Sequence, residues 1–233
     1  MGARSGPPAP ADPAAVAAFL DRARRLAPAA TAAPRLIFAL DATMSRQPTW
    51  DLACRLQAGM FEATAGLGGL AVQLVYFRGL GECRASRFVA DARALTDLMA
   101  GIACRGGQTQ IARVLRHARA EAAKGPVKAL VLVGDAVEED LDGLCALAGE
   151  LGLLGVPAFC FREGEDPQAL RGFSEIARLS GGAHAPFDRA APATLAGLLR
   201  AVAVYAARGL DGLRLAARED AQARRLLGAM TPR

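Results

Sequence analysis

Residues 127–134, VKALVLVG, form an almost continuous apolar run of strand length that stops at Asp135. A strand with one face in water alternates apolar and polar side chains, and this one does not. It must therefore be covered on both faces. Three further runs share the property: RLIFAL (35–40), which stops at Asp41, AVQLVYF (71–77) and VPAFCF (156–161). The segments between them carry helical periodicity over roughly ten to fifteen residues, the length of crossover helices. The implied architecture is α/β, a doubly wound and mainly parallel central sheet with helices on both faces. In such a sheet the loops after the carboxyl ends of the strands carry the binding site.

The helical segments are expected at 48–64, 92–102, from Thr109 through IARVLRHARAEA, and at 138–152, 167–179 and 193–207. Glycines 79 and 81 precede a short edge strand at 84–88, and residues 181–187 form a last short strand. No internal repeat of about 20–50 residues is visible. Three parts follow. Residues 1–33 are an arm rich in Pro and Ala with a short amphipathic helix at 14–26, whose stripe is Val16, Phe19, Leu20, Ala23 and Leu26. Residues 34–208 are the domain. Residues 209–233 are a helical extension, with Leu210, Leu213, Leu215, Leu226 and Leu227 as its apolar positions. Both flanking helices are expected to pack on the domain, on each other or across a dimer interface.

With 233 residues the chain is long enough for a large core, and its 22% charged residues are ordinary for a globular protein. The net charge of +5 admits anionic partners but selects none. Aromatic residues are only 5%, and the arginines are scattered, which argues against nucleic acid as a partner. The five cysteines are widely spaced with no CxxC pair, against a disulfide scaffold or a thiolate zinc site. A reducing, cytoplasmic location is expected, since the N-terminus has no apolar signal core. Glu150 and Arg200 interrupt the two longest apolar stretches, so no membrane span is expected.

Three features fall at the expected carboxyl ends: Asp41-Ala42-Thr43-Met44-Ser45, then Gly106-Gly107-Gln108-Thr109, then Asp135. Two carboxylates and three hydroxyls form the all-oxygen set that a hard divalent cation takes, with magnesium preferred and manganese as the alternative. Alternating positions in a short loop turn Asp41, Thr43 and Ser45 toward one centre. The glycines let Thr109 come close. Arg46 and Arg105 neighbour these residues and are expected to draw an anionic ligand to the metal.

These residues resemble the metal-ion-dependent adhesion site of the von Willebrand factor A (VWA) family. Its pattern is Asp-x-Ser-x-Ser after the first strand, a loop Thr, and an Asp after the fourth strand. By position, Asp41 matches the first Asp, Thr43 the first Ser, Ser45 the second, Thr109 the loop Thr and Asp135 the last acid. Thr43 departs from the commoner Ser but keeps an oxygen ligand. The resemblance covers roughly residues 34–208. It implies a Rossmann-like fold with 84–88 as an antiparallel edge. It implies magnesium held by those five residues, and a protein partner whose Asp or Glu completes the octahedron. Cytoplasmic relatives serve in multiprotein assemblies, often with ATPases. A non-enzymatic role follows.

Other readings compete. Ser45 and Thr109 could cap the helices after them, and Asp41 and Asp135 could satisfy loop amides, leaving a metal-independent interaction domain. GDAVEED (134–140) looks like a motif of haloacid-dehalogenase-like phosphatases, but Thr43 stands where their acid/base carboxylate belongs. GLGG (66–69) follows a helix, against a dinucleotide fingerprint. His117 is expected on a solvated Arg-rich face and His184 packed, with no nucleophile–His–acid triad.

Overall fold

The computed structural model describes residues 13–25 and 33–230. The Pro- and Ala-rich arm of residues 1–12, the Ala- and Pro-rich loop after residue 26, and Leu26 of the expected stripe lie outside the described residues. Six strands form one sheet: β1 (Arg35–Asp41), β2 (Ala71–Arg78), β3 (Glu82–Val89), β4 (Val127–Gly134), β5 (Ala158–Glu163) and β6 (Ala183–Phe187). Their spatial order is β3-β2-β1-β4-β5-β6. Every pairing is parallel except β2 with β3, the antiparallel edge.

Both faces are dry because the period of two distributes apolar residues to each. Leu36, Phe38 and Leu40 of β1 enter one core with Leu74, Val131, Phe159 and Trp50. Ile37 and Ala39 enter the other with Phe77, Leu130, Leu132 and Phe173. β4 is central, between β1 and β5, and every residue of it except Lys128 is buried.

The helices are α1 (Pro13–Arg25), α2 (Gln47–Leu56), α3 (Ala58–Thr64), α4 (Ala92–Ala100), α5 (Ile111–Lys124), α6 (Leu141–Leu153), α7 (Pro167–Ser180), α8 (Pro192–Ala216) and α9 (Ala221–Ala229). Three departures from the sequence reading have identifiable causes. The single helix expected at 48–64 is divided at Gln57, whose amide group is drawn across to α4. Its Nε2 donates to the Ala92 carbonyl at 2.9 Å and to Thr96 Oγ1 at 2.6 Å. The helix expected from Glu138 starts at Leu141, with the Asp140 carboxylate accepting the Gly143 amide. The C-terminal helix expected over 210–229 is two pieces. α8 runs through residue 210 but kinks at Gly209, at φ 64°, a left-handed value that glycine adopts without Cβ strain. A break at residues 217–220 then precedes α9, whose first amides are capped by Asp220 Oδ1 at 2.7 and 3.0 Å.

That kink and break rotate the expected apolar positions apart. Leu213 and Leu226 are fully buried, whereas Leu215 is 64% exposed. α9 packs on α8 and β6, and α1 packs near β3 and α4, with Phe19 edge-on to Tyr76 at 5.1 Å. By length and composition α8 is apolar enough to cross a membrane. Here its Leu195, Leu198, Leu199 and Val202 are fully buried against the rest of the core.

Candidate functional site

From β1 the chain goes outward to β2 and β3, then crosses back to β4 on the other side of β1. The two winding directions part between β1 and β4, and a crevice opens at their carboxyl ends. Asp41 is the last residue of β1, and Asp135 follows the last residue of β4.

The loop that carries Thr109 is held over this crevice from three sides. The Arg105 amide donates to the Ala42 carbonyl at 3.0 Å, and the Gln108 amide to the Gly79 carbonyl at 3.2 Å. The Cys104 amide donates to Gln47 Oε1 at 3.2 Å. Buried Arg78 donates to the Ala103 carbonyl, while its own charge is met by Glu82 at 2.9 Å. Gly107 lies so close to the β2–β3 turn that a Cβ there would sit 2.2 Å from the Gly79 nitrogen. Around Gly106 there is open space. Gly107→Ala should therefore displace the loop and lower stability by about 1–3 kcal/mol, while Gly106→Ala should be neutral. Thermal melts of the two variants check this, and equal melting temperatures would refute it.

Asp41, Thr43, Ser45, Thr109 and Asp135 all line one cleft of about 270 Å³, with Met44, Gly106, Gly107, Ala136 and Glu138. Asp41 is 3% exposed. Its Oδ1 accepts the Thr43 amide at 2.7 Å. Its Oδ2 is buried and has no hydrogen-bond partner. Burial, against the pull of the Thr43 hydrogen bonds, pushes the Asp41 carboxyl up to about 6, and the Asp135 charge adds to the rise. Nearby Cys104 is also pushed up, to about 12, by burial and by Asp41, so it stays a neutral thiol.

The hydroxyls are not used as helix caps. Ser45 lies inside a short 3-10 turn (Met44–Arg46) whose N-cap Thr43 makes no capping bond, and the N-cap of α2 is Arg46, again without a side-chain cap. Thr109 lies one residue before the N-cap Gln110, which itself makes none. The opening amides of α5 are capped from another loop instead: Glu139 accepts from Ile111 at 2.6 Å and from Ala112 at 2.9 Å. Glu138 and Thr109 bond reciprocally. The Thr109 amide donates to Glu138 Oε2 at 2.7 Å, and the Glu138 amide donates to Thr109 Oγ1 at 3.0 Å. The acidic pair read from sequence as the first turn of the next helix thus positions the site threonine and the start of α5.

Arg46 differs from expectation. Expected to draw an anionic ligand to the site, its guanidinium is instead buried and paired with the protein's own carboxylates, with Nη1 3.3 Å from Asp135 Oδ2 and 2.6 Å from Glu163 Oε2. Glu163, at the end of β5, also accepts the Thr49 hydroxyl and lies 2.5 Å from Arg189 Nε. Sequence reasoning missed Glu138, Glu139 and Glu163, whose partners lie in other loops. The only local trace was the acidic run 138–140 itself.

The histidines lie elsewhere. His117 is half-buried rather than solvated, with Nε2 2.9 Å from Gln73 Oε1. His184 lies 3.4 Å from Ser174 Oγ through Nδ1, and its Nε2 has no partner. Burial, with Arg162 and Arg225 nearby, pushes it down to about 4. Among the described residues, no carboxylate hydrogen-bonds to it, so a nucleophile–His–acid triad has no support there.

Among the described residues, no group of three or more His, Cys, Asp or Glu side chains is arranged to hold a metal ion. The candidate cleft is differently made, from two carboxylates and three hydroxyls. It fits a hard cation on one direct observation: a buried, unpartnered carboxylate oxygen, Asp41 Oδ2, beside a second carboxylate.

No protein-family model matches the chain, and no curated protein sequence matches it. Solved structures do. A von Willebrand factor type A protein from Catenulispora acidiphila superimposes with a TM-score of 0.58 at 20% identity, over 75% of this chain and 43% of that one. The SpRpn10 VWA domain gives 0.54 at 13% identity, over 70% and 95%. Proximal thread matrix protein 1 from the mussel byssus, in a structure described as having a zinc-occupied MIDAS motif, gives 0.54 at 18%, over 73% and 48%. The chain thus spans less than half the length of two of these three. Its mostly parallel six-stranded sheet with an antiparallel edge, flanked by helices on both faces, is the Rossmann-like α/β fold of VWA domains.

Proposed function

We propose that this protein is a non-enzymatic, cytoplasmic interaction module that binds an acidic side chain of a protein partner through magnesium. The observation that carries this reading is the convergence of Asp41, Thr43, Ser45, Thr109 and Asp135 on one cleft at the sheet's switch point, with one oxygen of Asp41 buried and unpartnered. Those five residues would hold the ion, magnesium or in its place manganese. When bound, it would supply a hard positive centre that a partner's Asp or Glu can complete. The protein's own part is to fix the oxygens. Asp41 is anchored through Oδ1 by the Thr43 amide, and Thr109 is clamped by Glu138. Met44, 67% exposed at the rim, offers apolar contact to a docked segment.

Assembly with an ATPase or within a multiprotein complex is the kind of setting such a module suits. A phosphatase reading has no support in the cleft. Thr43 cannot serve as acid/base, and its amide is bound to the would-be nucleophile.

A second reading, a metal-independent interaction domain, draws on the Arg46–Asp135 pair, which already partly neutralises the cleft. Pull-down of partners by the tagged protein, with magnesium and with EDTA, separates the two. The first reading expects partners that are lost with EDTA and restored by magnesium. Partners retained in EDTA would overturn it in favour of the second.

A further inference from the structure

Arg46 is 2% exposed and carries a permanent charge. Only its Nη1 is engaged with carboxylates, shared between Asp135 at 3.3 Å and Glu163 at 2.6 Å, while Nε and Nη2 are buried without partners. A guanidinium held this way binds each carboxylate less well than a bidentate pair would. It is divided between an acid in the cleft and an acid outside it. Glu163 is in turn divided, since Thr49 and Arg189 compete with Arg46 for it. A chain of charges, Asp135–Arg46–Glu163–Arg189, runs from the cleft to the surface, where Arg189 is half exposed.

We propose that Arg46 is a built-in counter-cation that sets the metal affinity of this site by competing with the ion for Asp135, and that Glu163 sets how strongly it competes. The inference rests on the metal-dependent reading above and adds its regulation. In the metal-free protein, Arg46 relieves the repulsion between Asp41 and Asp135. With a divalent ion in the cleft, the guanidinium is repelled from Asp135 and its charge is carried by Glu163. Charges this close in a partly buried site interact strongly. The site therefore binds metal weakly on its own, and an arriving carboxylate, which adds negative charge, tips the balance toward the metal.

The test is calorimetric titration of the 233-residue chain with magnesium and with manganese, without partner. Arg46→Gln should tighten binding at least about tenfold, because the competitor is gone and a hydrogen-bond donor to Glu163 remains. Glu163→Gln should weaken it by a similar factor, because Arg46 then has only Asp135. Arg189→Gln, at an exposed position that leaves the core intact, should tighten binding, because Glu163 is freed to hold Arg46. Arg46→Lys should stay near the parent affinity.

A purely structural role would make Arg46→Gln and Glu163→Gln alike, since each breaks the same ion pair; opposite signs are the signature of competition. Metal binding in the parent with no tightening in either Arg46→Gln or Arg189→Gln overturns the counter-cation while leaving the metal site in place. Absence of binding in every variant overturns the metal-dependent reading itself. Binding that appears only on removal of Arg46 supports both.

Discussion

Asp41→Asn should raise the melting temperature of the metal-free protein and abolish the rise that magnesium gives the parent. The two effects have one origin. Asn keeps an oxygen to accept the Thr43 amide, so the loop stays anchored. It removes a charge that is 3% exposed, whose second oxygen has no donor, and which faces another carboxylate. Leaving one oxygen of a buried carboxylate unpaired costs about 1–3 kcal/mol. At roughly 2–4 °C per kcal/mol for a chain of this size, the gain is measurable by differential scanning calorimetry. The metal effect goes the other way. In the parent, stabilisation should grow with the logarithm of free magnesium, because the ion binds the folded state alone. Without the carboxylate, that slope should be flat. A variant that melts lower than the parent at neutral pH, or still climbs with magnesium, would sink the assignment of Asp41.

Four of the five candidate residues were legible because they lie at or just after the ends of apolar strands, which hydrophobicity alone fixes, while Thr109 was legible from the Gly-Gly loop that opens α5. The runs that stop at Asp41 and Asp135 are β1 and β4, and the crossing between them defines the crevice. The strands were legible for the same reason, since burial on both faces leaves little polar alternation to confuse.

What escaped was whatever depends on a partner far along the chain. Arg46 reads as a cation free to draw an anionic ligand to the site, but the protein's own carboxylates reach it from the ends of β4 and β5. The contact of Thr49 with the same Glu163 spans 114 residues. Glu138 and Glu139 read as the negative first turn of α6, a sound local rule. They instead serve Thr109 and α5, because the loop after β4 lies against the start of that helix. The division of α2 from α3 is of the same kind, a local helical pattern overridden by Gln57 bonding to α4. Hydrophobic periodicity carries topology; it does not carry the pairing of charges across loops.

The second large effect is expected at the C-terminus, where the sequence showed leucines but not which of them matter. Leu226 is fully buried in the same core as Trp50, Phe159 and Leu198, and Leu213 joins it there. α9 reaches that core because the kink at Gly209 and the break at residues 217–220 turn the chain back over α8 and β6. Arg225 adds a hydrogen bond from Nη2 to the Pro186 carbonyl at 3.0 Å, on the edge strand β6. Leu226→Ala should therefore cost about 2–5 kcal/mol, the transfer term plus a cavity. Leu215→Ala, at a position 64% exposed, should stay within about 0.5 kcal/mol of the parent. Removal of residues 210–233 should cost more than either, since it strips Leu213 and Leu226 together and uncovers one face of β6. Urea melts of the three variants measure this. If the truncated protein unfolds at the parent's midpoint, or if Leu215→Ala and Leu226→Ala cost the same, the segment does not belong to the core. Should the order hold, the chain beyond residue 209 is an integral wall of the domain, and any partner-binding role for its arginines must be met from the outer faces of helices whose inner leucines are already committed.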